Sequence, residues 1–267
     1  MWRKIALYLK GTRRTTARER QKHGLRTSEG KDPMPYPAYV HLAKALSMSD
    51  KPEHTAAHLF LLLEWNMVSR SEAVVDQHID LFGVYNDALL VHLGPSKGDQ
   101  DGSKHADHPW HIYSVPQEPA ICPVLAFSKY LVTHPHVLTG DCKVFDGSSQ
   151  YERFNTIMRE IVRSDEHAAT FVSLGIKPEF FGTHSLRKGA ITFAACGVTV
   201  SPPIASICIR ANWKMPGVMN RYIRFEAVGD QYVGRSVSGR DRLTEDFAES
   251  CPYFDFSQYE PAEKERR

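Results

Sequence analysis

The chain has 267 residues, of which 42% are hydrophobic and 10% aromatic, so it can build a sizeable core in one large domain or two small ones. No apolar run is long enough to span a bilayer, and the segment from Met1 to Lys10 is too short and too charged for a signal peptide. The five cysteines include no CxxC pair, which argues against a disulfide framework and a structural zinc site. These features predict an intracellular globular protein.

Positive charge is concentrated in residues 1–31. This stretch holds ten Lys or Arg against two Glu, a formal charge of +8, which leaves −6 for the remainder of a chain whose net charge is +2. One interpretation is a basic arm or linker remnant that neutralises DNA phosphates, so that binding depends on salt. The other is a solvated, partly disordered terminus or a nuclear localisation signal. If the arm contacts DNA, its candidate DNA-binding residues are Arg13, Arg14, Arg18 and Arg20.

One domain, with the size of a catalytic domain, is predicted over residues 32–255, and a polar C-terminal tail is predicted over residues 256–267. Three prolines close the basic arm just after Asp32. Helices are predicted over 36–48 and 53–68, and a shorter helical pattern ends near His78. In the second helix the apolar residues recur at roughly helical spacing, and we expect Glu64 and Asn66 to supply its polar side.

Three strands are predicted next, over 80–84, 88–93 and 110–115, and the first two are joined by a turn at Asn86-Asp87. They predict a small antiparallel sheet. The loop between the second and third strands is polar and rich in glycine, and it carries two lysines that can reach outward, Lys97 and Lys104.

The remainder of the domain is predicted to be helical. Helices are expected over 122–131, with Pro123 in the first turn, and over 149–163. A further helix over 184–196 has Thr183 as its predicted N-cap and Gly197 as its predicted C-cap. Pro202 and Pro203 open a short helix, and Gly217 precedes a helical turn that carries Tyr222. The predicted fold class is therefore α+β, mainly α.

The segment from His105 to His111 places several imidazoles and one carboxylate close together, a pattern that some metal sites share. Pro109 interrupts regular geometry there, and the sequence offers no partner cluster. A histidine-rich loop without a metal is the more frequent case, and we predict no metal or other cofactor.

Five short segments follow one another along the chain: Asn66-Met-Val-Ser-Arg70-Ser-Glu72, Leu90-Val-His-Leu-Gly-Pro-Ser-Lys97, Thr183-His184-Ser-Leu-Arg187-Lys-Gly-Ala190, Asn212-Trp213 and Val218-Met-Asn-Arg-Tyr222. In this order they resemble the catalytic domain of tyrosine recombinases, the family of the phage integrases, and the resemblance covers about residues 32–240. His-x-x-Arg is weak by itself, whereas six matches in order are much more specific. The amino-acid sequences of several loops also resemble those of the Crypton-type transposon recombinases of eukaryotes.

The resemblance implies a catalytic role for each of six residues. Tyr222 attacks a DNA phosphodiester and forms a 3′-phosphotyrosyl bond, while Arg70 and Arg187 clamp the non-bridging oxygens with their planar, permanently charged groups. Lys97 protonates the leaving 5′-oxygen. The two remaining residues assist, His184 in proton transfer at the tyrosine and Trp213 by donating to a phosphate oxygen.

Several alternatives stay open at the level of sequence. Tyr232 is the rival nucleophile and Lys104 the rival acid. Trp213, taken alone, is more often a core residue. Family members often carry a carboxylate three residues after the first arginine, where this chain has Ala73, and they typically have an N-terminal DNA-clamping domain where this chain has only the basic arm.

The implied function is site-specific DNA cleavage and rejoining, with double-stranded DNA as the partner, self-association on DNA, no membrane, and a nuclear location if the source is eukaryotic. Two alternatives belong to other classes. One is a non-catalytic DNA-binding protein derived from a transposon, and the other is a type IB topoisomerase.

Overall fold

The structure is a computed structural model that describes residues 2–24, 30–94, 108–139, 143–198, 200–213, 227–240 and 243. The chain forms two compact units, Met1–Lys31 and Asp32–Arg267, each defined by the contacts among its own residues. Several of the sequence predictions concern residues outside the described ranges: Lys97, Lys104, His105, Gly217 with the helical turn that carries Tyr222, and the tail over 256–267.

The first unit contains one helix, α1 (Trp2–Lys22). Arg14 and Arg18 lie four residues apart, on one face of it, and both are exposed, as is Arg20. Lys22 forms an exposed ion pair of 2.9 Å with Glu19. The side chain of Arg13 lies outside the description. The basic segment is thus a helix whose described arginines face solvent.

The second unit is organised around α3 (Pro52–Asn66), which packs against α2 (Tyr36–Ser47) and five later helices. Leu59, Leu61, Leu62, Leu63 and Trp65 have no measurable exposure, and the helix is buried on all sides from residue 57 to its end. Each fully buried leucine contributes about 1.5–3 kcal/mol of transfer free energy.

The prediction that Glu64 and Asn66 form a polar, solvent-facing side of this helix was wrong. Both side chains are 1% exposed. Asn66 Nδ2 donates to the carbonyl of Leu62 at 2.9 Å, and Glu64 accepts from Ser71 at 3.0 Å. Tertiary neighbours enclose α3 completely, which helical spacing alone cannot reveal.

The three predicted strands form one antiparallel sheet in the order β1 (Phe82–Tyr85), β2 (Ala88–Val91), β3 (Trp110–Tyr113). The predicted turn at Asn86-Asp87 is confirmed, since Tyr85 pairs with Ala88 and Asn86 adopts a φ of 51°. β1 begins two residues later than predicted, because Ile79–Leu81 forms a short 3-10 helix.

Most of the other helices lie close to their predicted positions, whereas no bounds were predicted for the three helices over residues 136–139, 168–173 and 227–237. The other helices are α4 (Ser71–Val75), α5 (Pro123–Thr133), α6 (His136–Thr139), α7 (Gln150–Arg163), α8 (Ala168–Ser173), α9 (Thr183–Thr192), α10 (Ile204–Arg210) and α11 (Ala227–Val237). A π-helical turn, Phe193–Gly197, continues α9 to the predicted end. The N-cap of α9 is Gly182 and not the predicted Thr183, which is the first helical residue.

Two glycines allow close approaches that position these helices. A Cβ at Gly189 of α9 would overlap the carbonyl oxygen of Met34 and contact the Trp65 ring. A Cβ at Gly234 of α11 would overlap the carbonyl oxygen of His111 on β3. Only a residue without a side chain permits the backbones to approach so closely.

The described part of the second unit is therefore mainly helical with a small three-stranded antiparallel sheet, as predicted. Within the described residues, no helix is both long enough and apolar enough to cross a bilayer.

Candidate functional site

The structure brings together Arg70 and Arg187, two of the six predicted catalytic residues. Arg187 lies in α9, is 9% exposed, and donates from Nη2 to the carbonyl of Ala211. Arg70 is exposed and occupies the N-cap position of α4. Burial, and then the nearby positive charge of Arg70, lower the pKa of Arg187 to about 10. The two guanidinium groups thus lie close enough to repel each other.

A C-terminal Schellman turn of α3 leads directly to Arg70. Val68 adopts a φ of 55°, its N–H donates to Trp65 O at 3.1 Å, and the N–H of Ser69 donates to Glu64 O at 3.3 Å. Glycine usually occupies this left-handed position, and a β-branched residue there is strained by about 1–3 kcal/mol. The turn reverses the chain so that Ser71 lies over Glu64.

The same type of turn ends α10 and leads to Trp213. Asn212 adopts a φ of 50° and donates to Ile209 O at 2.9 Å, while the N–H of Trp213 donates to Cys208 O at 2.9 Å. Ala211, the residue before this turn, supplies the carbonyl that accepts from Arg187. One helix end therefore positions both the indole and the buried arginine.

His184 and Trp213 present their side chains to solvent near these elements. His184 is exposed in the first turn of α9, one turn before Arg187. Trp213 is 46% exposed, so it does not occupy the core position that a lone tryptophan would ordinarily take. Ser185 ties down the start of α9, because its Oγ accepts from Gly182 N–H at 3.2 Å.

Glu64 is buried beside Ser71, acts on Arg187 through its charge, and was not among the predicted site residues. Its Oε1 accepts from the Ser71 hydroxyl at 3.0 Å, and within the described residues its Oε2 is buried without a hydrogen-bond partner. Burial raises the pKa of Glu64 to about 8, against the opposing effects of the Ser71 hydrogen bond and the charge of Arg187. The sequence did hold a signal: a carboxylate inside an otherwise apolar run has no exposed face to occupy.

A buried polar network fixes the end of α10 beside this site. Arg210, which has no exposed side-chain surface, donates to Asp230 Oδ1 at 2.6 Å and to the carbonyls of Asn66 and His111 at 2.7 and 2.9 Å. The other oxygen of Asp230 accepts from the backbone N–H of His111 at 2.8 Å and lies 2.8 Å from its Nδ1. The network joins α3, β3, α10 and α11.

The structure also bears on the alternative residues. The hydroxyl of Tyr232, the rival nucleophile, donates to the carbonyl of Val200 at 2.9 Å. The imidazole of His111, the last member of the histidine-rich segment, is buried against Asp230. In the described ranges, no group of three or more His, Cys, Asp or Glu is arranged to hold a metal ion.

The described part of the site has the chemistry of an anion receptor. The charge of one guanidinium group acts on the other, an indole and an imidazole are exposed at the ends of α10 and α9, and Glu64, the carboxyl group among the described residues that acts on Arg187, has a raised pKa. Such a cluster is suited to the non-bridging oxygens of a phosphodiester. The predicted nucleophile Tyr222 and the predicted acid Lys97 lie outside the described residues. No protein-family model and no curated protein matches the chain.

Proposed function

We propose that this chain is a tyrosine recombinase that cleaves and rejoins DNA through a 3′-phosphotyrosyl intermediate. The observation that supports the proposal best is that Arg70, at the N-cap of α4, and Arg187, in α9, lie near enough for the charge of one to act on the other. Transesterification at a phosphodiester needs cations where charge accumulates on the phosphoryl oxygens, and paired arginines supply fixed donors for them.

In the proposed mechanism Tyr222 attacks the phosphorus and the 5′-oxygen leaves with a proton from Lys97. The Arg70 and Arg187 guanidinium groups hold the two non-bridging oxygens and stabilise the extra negative charge of the transition state. Trp213 donates its indole N–H to one of these oxygens, and His184 assists proton transfer at the tyrosine. The phosphotyrosyl bond retains the phosphodiester, so a 5′-hydroxyl can reseal the strand without a nucleotide cofactor.

Double-stranded DNA is the proposed partner, and α1 is a proposed additional contact. The exposed Arg14 and Arg18 lie on one face of that helix, a spacing that suits phosphate neutralisation along a strand. A Crypton-type origin, self-association on DNA and a nuclear location belong to the same proposal.

A suicide-substrate experiment with the full chain tests this function. A nicked duplex that loses its 5′-hydroxyl fragment after cleavage traps any covalent intermediate, and mass spectrometry then identifies the attached tyrosine. We expect covalent capture at Tyr222, loss of capture in Tyr222→Phe with non-covalent binding retained, and normal capture in the matched control Tyr232→Phe.

The outcomes separate the alternative functions. Capture followed by exchange between two duplexes supports a recombinase, whereas capture and strand relaxation without exchange support a type IB topoisomerase. Binding without any capture supports a non-catalytic DNA-binding protein. Capture that survives in Tyr222→Phe but not in Tyr232→Phe assigns the nucleophile to Tyr232.

A further inference from the structure

Glu64 is a buried carboxyl group between the two arginines in the order of the network. Its Oε1 accepts from Ser71, the residue next to Arg70, at 3.0 Å, and its charge acts on Arg187. It is 1% exposed, and its second carboxyl oxygen is buried without a hydrogen-bond partner in the described residues. The carboxyl group is therefore enclosed in the interior, bonded to the turn that carries Arg70 and within electrostatic range of Arg187.

We infer that Glu64 is a positioning residue of the arginine pair, which holds Arg187 and the Arg70 turn from the buried side and keeps its proton when the pair takes up a phosphate. This inference rests on the proposed function, because it requires that the pair binds a phosphodiester.

The physical reason is charge balance in a site with little access to water. An ionised Glu64 would cancel one of the two positive charges that hold the phosphate, whereas the neutral acid leaves both. An acid hydroxyl can still hydrogen-bond, so the unpartnered oxygen is a suitable place for the proton. Burial raises the pKa of Glu64 to about 8, which leaves the group mainly neutral at physiological pH.

The affinity for phosphate should fall as the pH rises and Glu64 ionises. A bound phosphate adds negative charge near Glu64 and raises its pKa further, so ionisation of Glu64 and phosphate binding oppose each other. Arg187 and Ser71 are the groups that act on Glu64, and Arg70 acts on Arg187. Arg187, with a pKa of about 10, loses its charge only at higher pH.

The test is the affinity of the full chain for a short duplex DNA, measured by fluorescence anisotropy at constant ionic strength. Between about pH 7 and pH 9 we expect wild-type affinity to fall roughly tenfold, because the free protein then releases the Glu64 proton that the complex keeps. Glu64→Gln retains the shape and cannot ionise, so its affinity should change little over the same range. Histidines titrate equally in both proteins and cancel in the comparison.

Two further variants keep the outcome decisive. Ser71→Ala removes a hydrogen bond that lowers the pKa of Glu64, so the fall in affinity should move to higher pH, which a purely structural role would not produce. Ser71→Ala also tests the inference if the Glu64→Gln variant fails to fold. Arg187→Ala should weaken binding at every pH.

If Arg187→Ala weakens binding but Glu64→Gln or Ser71→Ala keeps the wild-type profile, the inference about Glu64 is wrong while the phosphate site stands. If Arg187→Ala binds as the wild type does, the proposed function fails and the inference fails with it.

Discussion

Replacing Asp230 by Asn should destabilise the second unit strongly, because Asp230 is the carboxylate partner of the buried Arg210. The Arg210 side chain has no exposed surface, and Asp230 is 3% exposed in the pair. Asn keeps the size of the side chain but removes its charge, which leaves a guanidinium buried without its counterion. Removing one partner of such a pair costs about 3–5 kcal/mol. In a domain of this size that corresponds to a decrease of the midpoint temperature on the order of 10 °C.

The chain offers two matched controls with the same substitution. Asp87 (17% exposed) pairs with Arg235 (16% exposed) at 2.5 Å, and Asp76 (61% exposed) pairs with Lys143 (43% exposed) at 2.5 Å. Asp76→Asn should cost less than about 1 kcal/mol, since water already solvates both charges. Asp87→Asn should fall between the two.

Thermal and urea unfolding of the three variants measure these differences at one pH and ionic strength. The expected order of destabilisation is Asp230, then Asp87, then Asp76, with parallel urea slopes. A loss below about 1 kcal/mol for Asp230→Asn would refute the reasoning, because it would mean that the buried charge of Arg210 needs no counterion. The same variant should also weaken covalent capture of DNA, since the network fixes the helix end that holds Arg187 and Trp213.

Three more predictions concern the proposed chemistry. Arg187→Lys keeps the charge but loses the planar fork, so the rate of covalent capture should fall by about two to three orders of magnitude; a loss below about tenfold would make Arg187 a structural residue. Lys97→Ala should slow cleavage of ordinary DNA and recover on a 5′-bridging phosphorothiolate substrate, whose thiolate leaves without a proton; recovery by Lys104→Ala instead would move the acid to Lys104. Capture should persist in excess EDTA, and inhibition that added metal reverses would overturn the cation role given to Arg70 and Arg187.

Local sequence signals were sufficient for many elements of the fold. Alternation and the Asn86-Asp87 turn predicted the hairpin of β1 and β2, and helical spacing with proline and glycine boundaries predicted α2, α3, α4, α5, α7, α9 and α10 within a few residues, whereas α1, α6, α8 and α11 had no predicted bounds. These signals depend on hydrogen bonds and packing between near neighbours in the chain, so the sequence carries them directly. The same spacing misjudged the surroundings of α3, where Glu64 and Asn66 are buried.

The sequence by itself also determined which residues were candidates for phosphate chemistry, because side-chain chemistry and the order of motifs are properties of the chain. Only the tertiary structure decided that the charge of Arg70 acts on Arg187, that the carbonyl of Ala211 accepts from Arg187, and that Glu64 is buried with one oxygen bonded to Ser71. Desolvation and charge interaction depend on distances between segments that are remote in sequence, and these distances exist only after α3, α4, α9 and α10 have packed together.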